Sequence, residues 1–387
     1  MKPLPTAARA GDIAPFHVMD ILARAKALES TGRDVIHLEI GEPDFATPEP
    51  IVEAGIRALR DGHTHYTSAL GLPKLREAIA AFHASRWQAQ VAPNRVIVTP
   101  GASGALLLAL GLLTGPGDEV LMADPGYPCN RHFARFCEAR AVSVPVDAGS
   151  GFQLTLALIE RHATPATRAV LLATPSNPTG TTLPFEELTR IRDWCDTRNI
   201  ALIVDEIYLA LTYDGGEHSA AGWDEVFVVN SFSKYFLMTG WRLGWLVAPA
   251  WAVPALERLA QNLFLAAPTP AQHAALAAFE PDTLAMLEAR KSELRQRRDY
   301  FLPVLRKLGF VIPTAPQGAF YLYADCSRFG DDSHYLANRL LDDAGIATTP
   351  GIDFGTHQAR HHLRFAYTQP IARLAEATDR LFHFLQA

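Results

Sequence analysis

The residues best placed to do chemistry lie around Lys234, in the stretch SFSKYFLMTGWRLGW at 231–245. An apolar run, VFVVN at 226–230, precedes it and reads as a buried strand. The strand ends in two serines, Ser231 and Ser233, around Lys234, with Arg242 eight residues further on. A lysine just past such a strand stands where functional loops sit in open α/β sheets. Desolvated there, its amine loses its proton more readily and becomes a nucleophile. A solvated loop lysine would have the same local sequence.

Other candidates also interrupt or follow apolar runs. ALIVDEIY at 201–208 is a strand that ends in Asp205. An acid at the carboxyl end of a buried strand meets a ligand more often than it packs. VIVTPGASGALLLALGLL at 96–113 predicts a strand, a small-residue turn and an apolar helix. Ala102 and Ser103 lie at that turn, where helix amides and the helix dipole favour an anion, although many such turns serve packing alone. Asn177 sits in an NPTG turn after the strand AVLLAT, and turn chemistry alone accounts for those residues. Tyr127 follows the strand in DEVLMADPGYP, and Gly41 follows VIHLEI in GEPDF. Tyr66 lies on a loop before a helix, and Arg364 lies in HHLRFAY, a strand-like segment where arginine usually faces outward.

Elements that alternate in this way predict an α/β protein. Residues 18–31 read as an amphipathic helix stopped by Gly32, and 283–308 as a long helix disturbed at Pro303. The 387 residues suffice for about two domains. A formal charge of −6 without long single-sign runs argues against nucleic acid or an anionic membrane as partner. Cys129, Cys137, Cys195 and Cys326 form no CxxC pair, which fits a reduced cytoplasmic protein without a metal site. The amino-terminal residues lack the apolar core of a signal peptide, and no apolar run reaches the length of a membrane span.

Taken in order, these motifs resemble the class I/II aminotransferases, enzymes of the aspartate aminotransferase fold that carry pyridoxal phosphate. The resemblance rests on S-x-S-K with R-x-G, on NPTG, on D-x-x-Y and on Y-T-x-x-x-G-x-x-x-L-R-x-A-I, and it runs from about residue 15 to the end. It implies a three-layer fold with a mostly parallel central sheet in a large domain, 46–282. A smaller α+β domain would combine 1–45 with 283–387. It also implies that Lys234 carries the cofactor covalently, that Ala102, Ser103, Ser231 and Arg242 hold its phosphate, and that Tyr127 stacks on its ring. Asp205 would pair with the ring nitrogen, while Asn177 and Tyr208 would bond the phenolic oxygen. Arg364 would grip the substrate carboxylate, with Gly41, Asn177 and Phe16 beside the substrate. Tyr66 would reach the phosphate of a partner subunit in a homodimer with shared active sites.

The activity implied is transfer of an amino group from an L-amino acid to a 2-oxo acid by a ping-pong route. A C–S β-lyase on the same fold would keep every cofactor residue, and release of pyruvate and ammonia from cystathionine without an oxo-acid acceptor separates the two. A non-catalytic regulator of this fold would need a DNA-binding domain ahead of the first helix. Three uncharged or largely apolar stretches, 15–19, 103–113 and 262–270, predict a neutral side-chain pocket for the donor. Phe16 departs from the small hydroxyl residue common in the family, which leaves donor choice open.

Overall fold

The computed structural model of the chain describes residues 4–386. Seven strands form the main sheet: β2 (Val96–Thr99), β3 (Glu119–Asp124), β4 (Arg140–Pro145), β5 (Thr167–Ala173), β6 (Ala201–Asp205), β7 (Phe227–Ser231) and β8 (Gly244–Val247). A two-residue strand, β1 (Ile36–His37), precedes them. The sheet order is β2-β8-β7-β6-β5-β3-β4. β3 to β7 pair in parallel, and β8 runs antiparallel to both of its neighbours.

Side chains alternate between two cores, as the period of a strand requires. In β6, Leu202 and Val204 join one core and Ile203 the other. Burial on both faces explains why these strands read as unbroken apolar runs. The helix Gly101–Leu113 covers one face with Leu106, Leu108 and Leu110. Burying each leucine contributes about 2 kcal/mol. The parallel strands all end at one edge of the sheet. Because β8 runs the other way, its first residue, Gly244, lies beside Thr99 and Ser231 at that same edge. The eight-residue spacing from Lys234 to Arg242 therefore measures a loop that leaves the edge and returns to it.

The later chain forms β9 (Tyr321–Asp325), β10 (Ile346–Ala347), β11 (Thr349–Pro350) and β12 (His362–Ala366). β11, β12 and β9 make an antiparallel sheet in that order, and β10 pairs in parallel with β1. The helix Pro281–Leu308 runs continuously through Pro303. Pro303 is exposed, and so is Asp299, whose carbonyl it leaves without an amide partner in the helix. The first long helix spans His17–Ser30, and Gly32 follows with a φ of 89°.

Some expectations need adjusting. Of the strand expected from VIHLEI only β1 is regular, because the chain turns at Gly41 to enter the site. β4 and β8 were not anticipated. β4 has one buried residue, Val144, and its composition carries no apolar run. Arg364 in β12 does not face outward: the whole strand is buried.

Candidate active site

Twelve of the thirteen candidate residues line one cavity of about 290 Å³ at the edge where the parallel strands end. They are Phe16, Gly41, Ala102, Ser103, Tyr127, Asn177, Asp205, Tyr208, Ser231, Lys234, Arg242 and Arg364. Tyr66 is apart from it and 81% exposed.

Lys234 is partly buried, and its Nζ donates to the Gly41 carbonyl at 2.7 Å. Desolvation and the nearby Arg364 and Arg242 guanidiniums lower its pKa to about 8. Asp205 is buried, with Ile207 N–H donating to it at 3.1 Å. Burial pushes its carboxyl up to about 7, against the pull of that amide and of Lys234. The cavity therefore holds a lysine whose pKa is lowered to about 8 and an acid that forms no ion pair among the described residues.

Arg364 is 3% exposed, and among the described residues its hydrogen-bond acceptors are a side-chain amide, a hydroxyl and a backbone carbonyl rather than a carboxylate. Its Nη1 donates to Asn177 Oδ1 at 3.0 Å and its Nη2 to Thr349 Oγ1 at 3.2 Å and to the Glu39 carbonyl. Its Nε has no acceptor. The guanidinium lies 4.3 Å above the Tyr321 ring and 4.8 Å from that of Phe354. A buried guanidinium bonded only to neutral groups is a prepared receptor for a carboxylate.

The opposite end of the cavity suits a phosphate. Gly101 opens the helix Gly101–Leu113 with a φ of 70°, and a Cβ there would come within 2.6 Å of Arg242 Nη2. Arg242 has a φ of 53°, an uncommon conformation for a residue with a side chain. Its Nη1 donates to the Thr239 carbonyl at 2.9 Å, which aims the guanidinium across the glycine turn. The first amides of the helix, beside Ala102 and Ser103, complete an anion site.

Tyr321 completes the site, although its motif, GAFYLY, reads only as an aromatic-rich strand. Its hydroxyl lies 2.8 Å from that of Tyr208. A Cβ at Gly41 would fall 2.4 Å from the same hydroxyl, which is why a glycine stands there. Glu42, next to Gly41, also lines the cavity and accepts from Thr239 Oγ1. Among the described residues no group of three or more His, Cys, Asp or Glu side chains could hold a metal ion, and no helix is long and apolar enough to cross a membrane.

An anion turn, a buried acid and a low-pKa lysine at one sheet edge mark an enzyme that holds a phosphate-bearing cofactor next to an amine. Comparison with known proteins names the family. The family model for aminotransferase class I and II matches residues 33–381. The valine–pyruvate aminotransferase of Mycobacterium tuberculosis is 39% identical over 382 residues, 98% of each chain. The arginine–pyruvate transaminase of Pseudomonas aeruginosa is 36% identical, over 94% of this chain and 93% of that one. A crystal structure of an aminotransferase from M. tuberculosis superposes with a TM-score of 0.95 at 38% identity, covering 99% of this chain and all of that one. The chain belongs to the class I and II aminotransferases and is a pyridoxal-phosphate-dependent enzyme.

The residues present fit that cofactor. The glycine turn with Arg242 would take its phosphate, the buried acid Asp205 would meet a protonated ring nitrogen, and Lys234 would supply the amine.

Proposed function

We propose that the enzyme moves the amino group of a neutral, mainly apolar L-amino acid to a 2-oxo acid by a ping-pong route. The observation that carries the donor class is the wall of the cavity. Phe16, Val18, Met19, Ile40, Leu106 and Ile207 line it, and among the described residues its cations are Lys234, Arg242 and Arg364. Each of those three already has a role, so among the described residues no cation is left to meet an acidic donor side chain. The name of the valine–pyruvate relative fits this reading, and the arginine–pyruvate relative shares its acceptor.

Bound pyridoxal phosphate supplies an electron sink. The chain supplies position and proton transfer. Arg364 orients the donor with two parallel hydrogen bonds to its α-carboxylate. Lys234 Nζ, with a pKa near 8, takes the proton from the donor Cα as general base and later returns it as general acid. Asp205 keeps a ring nitrogen protonated, while Asn177 and Tyr208 stabilise an oxyanion. One buried guanidinium serves the carboxylates of donor and acceptor, so the two substrates take turns, as a ping-pong route requires.

The same reading takes the protein as a cytoplasmic homodimer of two lobes, 46–282 and the combined 1–45 and 283–387. Four free cysteines support the compartment. Tyr66, Leu263 and Leu265, all more than half exposed, support a second copy that covers them. The pairing of β1 with β10 supports a lobe built from both ends of the chain.

The donor class is tested by comparing kcat/KM for leucine, methionine and phenylalanine with that for aspartate. Aspartate exceeding all three by about tenfold, roughly 1.4 kcal/mol in transition-state binding, would overturn it.

A further inference from the structure

The helix His17–Ser30 begins without a local cap, because Phe16 has no side-chain oxygen to offer its first amides. A carboxylate from the other end of the chain takes them. Asp353 Oδ1 accepts His17 N–H and Oδ2 accepts Val18 N–H, both at 2.9 Å. Asp353 is only 3% exposed. The orphan amides and the helix dipole both favour an acid at this point.

Asp353 ends the short turn Gly351–Asp353, and that turn is tied to the main sheet. Arg131 donates to the Asp353 carbonyl. Asp124, the last residue of β3, accepts from Thr356 N–H at 3.0 Å and Thr356 Oγ1 at 2.9 Å. Gly355 lies against the Asp124 carboxylate with no room for a Cβ. A connected path thus runs from the strand that precedes Tyr127, through one loop, to Phe16, Val18 and Met19 in the cavity wall.

We infer that Asp353 is a positioning residue for donor selection: it sets where Phe16 and Met19 stand against the donor side chain without touching substrate. The inference rests on the neutral-donor reading above. A plain helix cap would stabilise the fold and affect every donor alike. A positioning residue affects donors according to how far they reach toward the wall.

The test uses holoenzyme of the wild type, Asp353→Asn and Asp353→Ala, with 2-oxobutyrate as acceptor, so that both donors give a net reaction, and leucine or alanine as donor. Hydrogen exchange of residues 17–30 is followed in parallel. Asp353→Ala should lower kcat/KM for leucine roughly tenfold or more, mainly through KM, and leave alanine, which ends at a methyl, within about twofold. Exchange at the first turn of the helix should speed up. Asp353→Asn, which still accepts one amide, should recover part of the loss. An unchanged leucine-to-alanine ratio overturns the inference, whatever the exchange shows. If Asp353→Ala does not fold, the same ratio in Asp353→Asn, compared with Phe16→Ala, decides it. A wild-type preference for aspartate overturns the neutral-donor reading alone, and the ratio of aspartate to alanine then reads the role of Asp353.

Discussion

The hydroxyls of Tyr208 and Tyr321 lie 2.8 Å apart, although 113 residues separate them in the chain. Tyr208 follows β6 in the main sheet and Tyr321 opens β9 in the antiparallel one. The Tyr321 ring also carries the Arg364 guanidinium on its face. One side chain therefore joins the Tyr208 side of the cavity to the Arg364 side. Tyr321→Phe keeps the stack and removes the hydrogen bond. We expect kcat/KM to fall about tenfold, close to the ~1.4 kcal/mol of one buried hydrogen bond. The absorbance titration of the holoenzyme should shift with it, and an unshifted titration with full activity refutes the link.

Gly41→Ala places a methyl 2.4 Å from the Tyr321 hydroxyl and leaves the ring carbon Cζ at 3.5 Å. The single variant should lose activity by about tenfold or more, since overpacking costs roughly 1–3 kcal/mol. Removing the hydroxyl relieves the clash. The double variant Gly41→Ala with Tyr321→Phe should therefore be more active than the product of the two single losses. Strict additivity of the two would show that Gly41 is required for another reason.

Lys234 should titrate near pH 8 in cofactor-free protein. A lowered pKa means that the amine is protonated below that pH and free above it. Labelling of Lys234 by an amine-directed reagent should thus rise through pH 8, about two units before that of surface lysines. Borohydride treatment of the holoenzyme should fix the cofactor on the same residue, read by peptide mass. A label on a different lysine rules out the assignment.

Asp205→Ala removes the acid and leaves the glycine turn and Arg242 intact. The rate should fall by a few orders of magnitude, against a change in cofactor affinity of about tenfold or less, because electrostatic stabilisation acts mainly on the transition state. Stopped-flow half-reactions and a cofactor titration measure the two. Equal losses would make Asp205 a structural anchor.

Tyr66 contributes nothing to the cavity of its own chain. If it serves a neighbour's, light scattering at assay concentration should give twice the chain mass, and Tyr66→Phe should weaken cofactor binding. Full activity from a species of single-chain mass contradicts the shared site.

The gathering of most candidate residues in one cavity was legible because they break a pattern. Lys234, Asp205 and Asn177 are polar residues at or just past the ends of apolar runs, and a parallel sheet collects those ends at one edge. Arg242 was legible by motif, and its reason is the reversed direction of β8. Tyr321 was not, since its meaning lies in a hydroxyl partner and a missing Cβ far away in the chain. The full burial of Arg364 was hidden for a similar cause. Alternating sequence in β12 predicts one wet face, and the cover comes from Glu39, Asn177 and Phe354. β4 lacked any apolar signature because it is an edge strand with one buried residue.

The acceptors around Arg364 come from residues 39, 177 and 349, the beginning, the middle and the later part of the chain. A carboxylate seated on that guanidinium is coupled to all three at once. No fragment of the chain keeps the receptor, so affinity for a simple carboxylate reports on completed folding. By mass action, a ligand at a hundred times its Kd should stabilise the native state by about 2.7 kcal/mol. Substrate analogues that do no chemistry then act as folding ligands. The melting temperature of an Arg364→Ala chain should be insensitive to them.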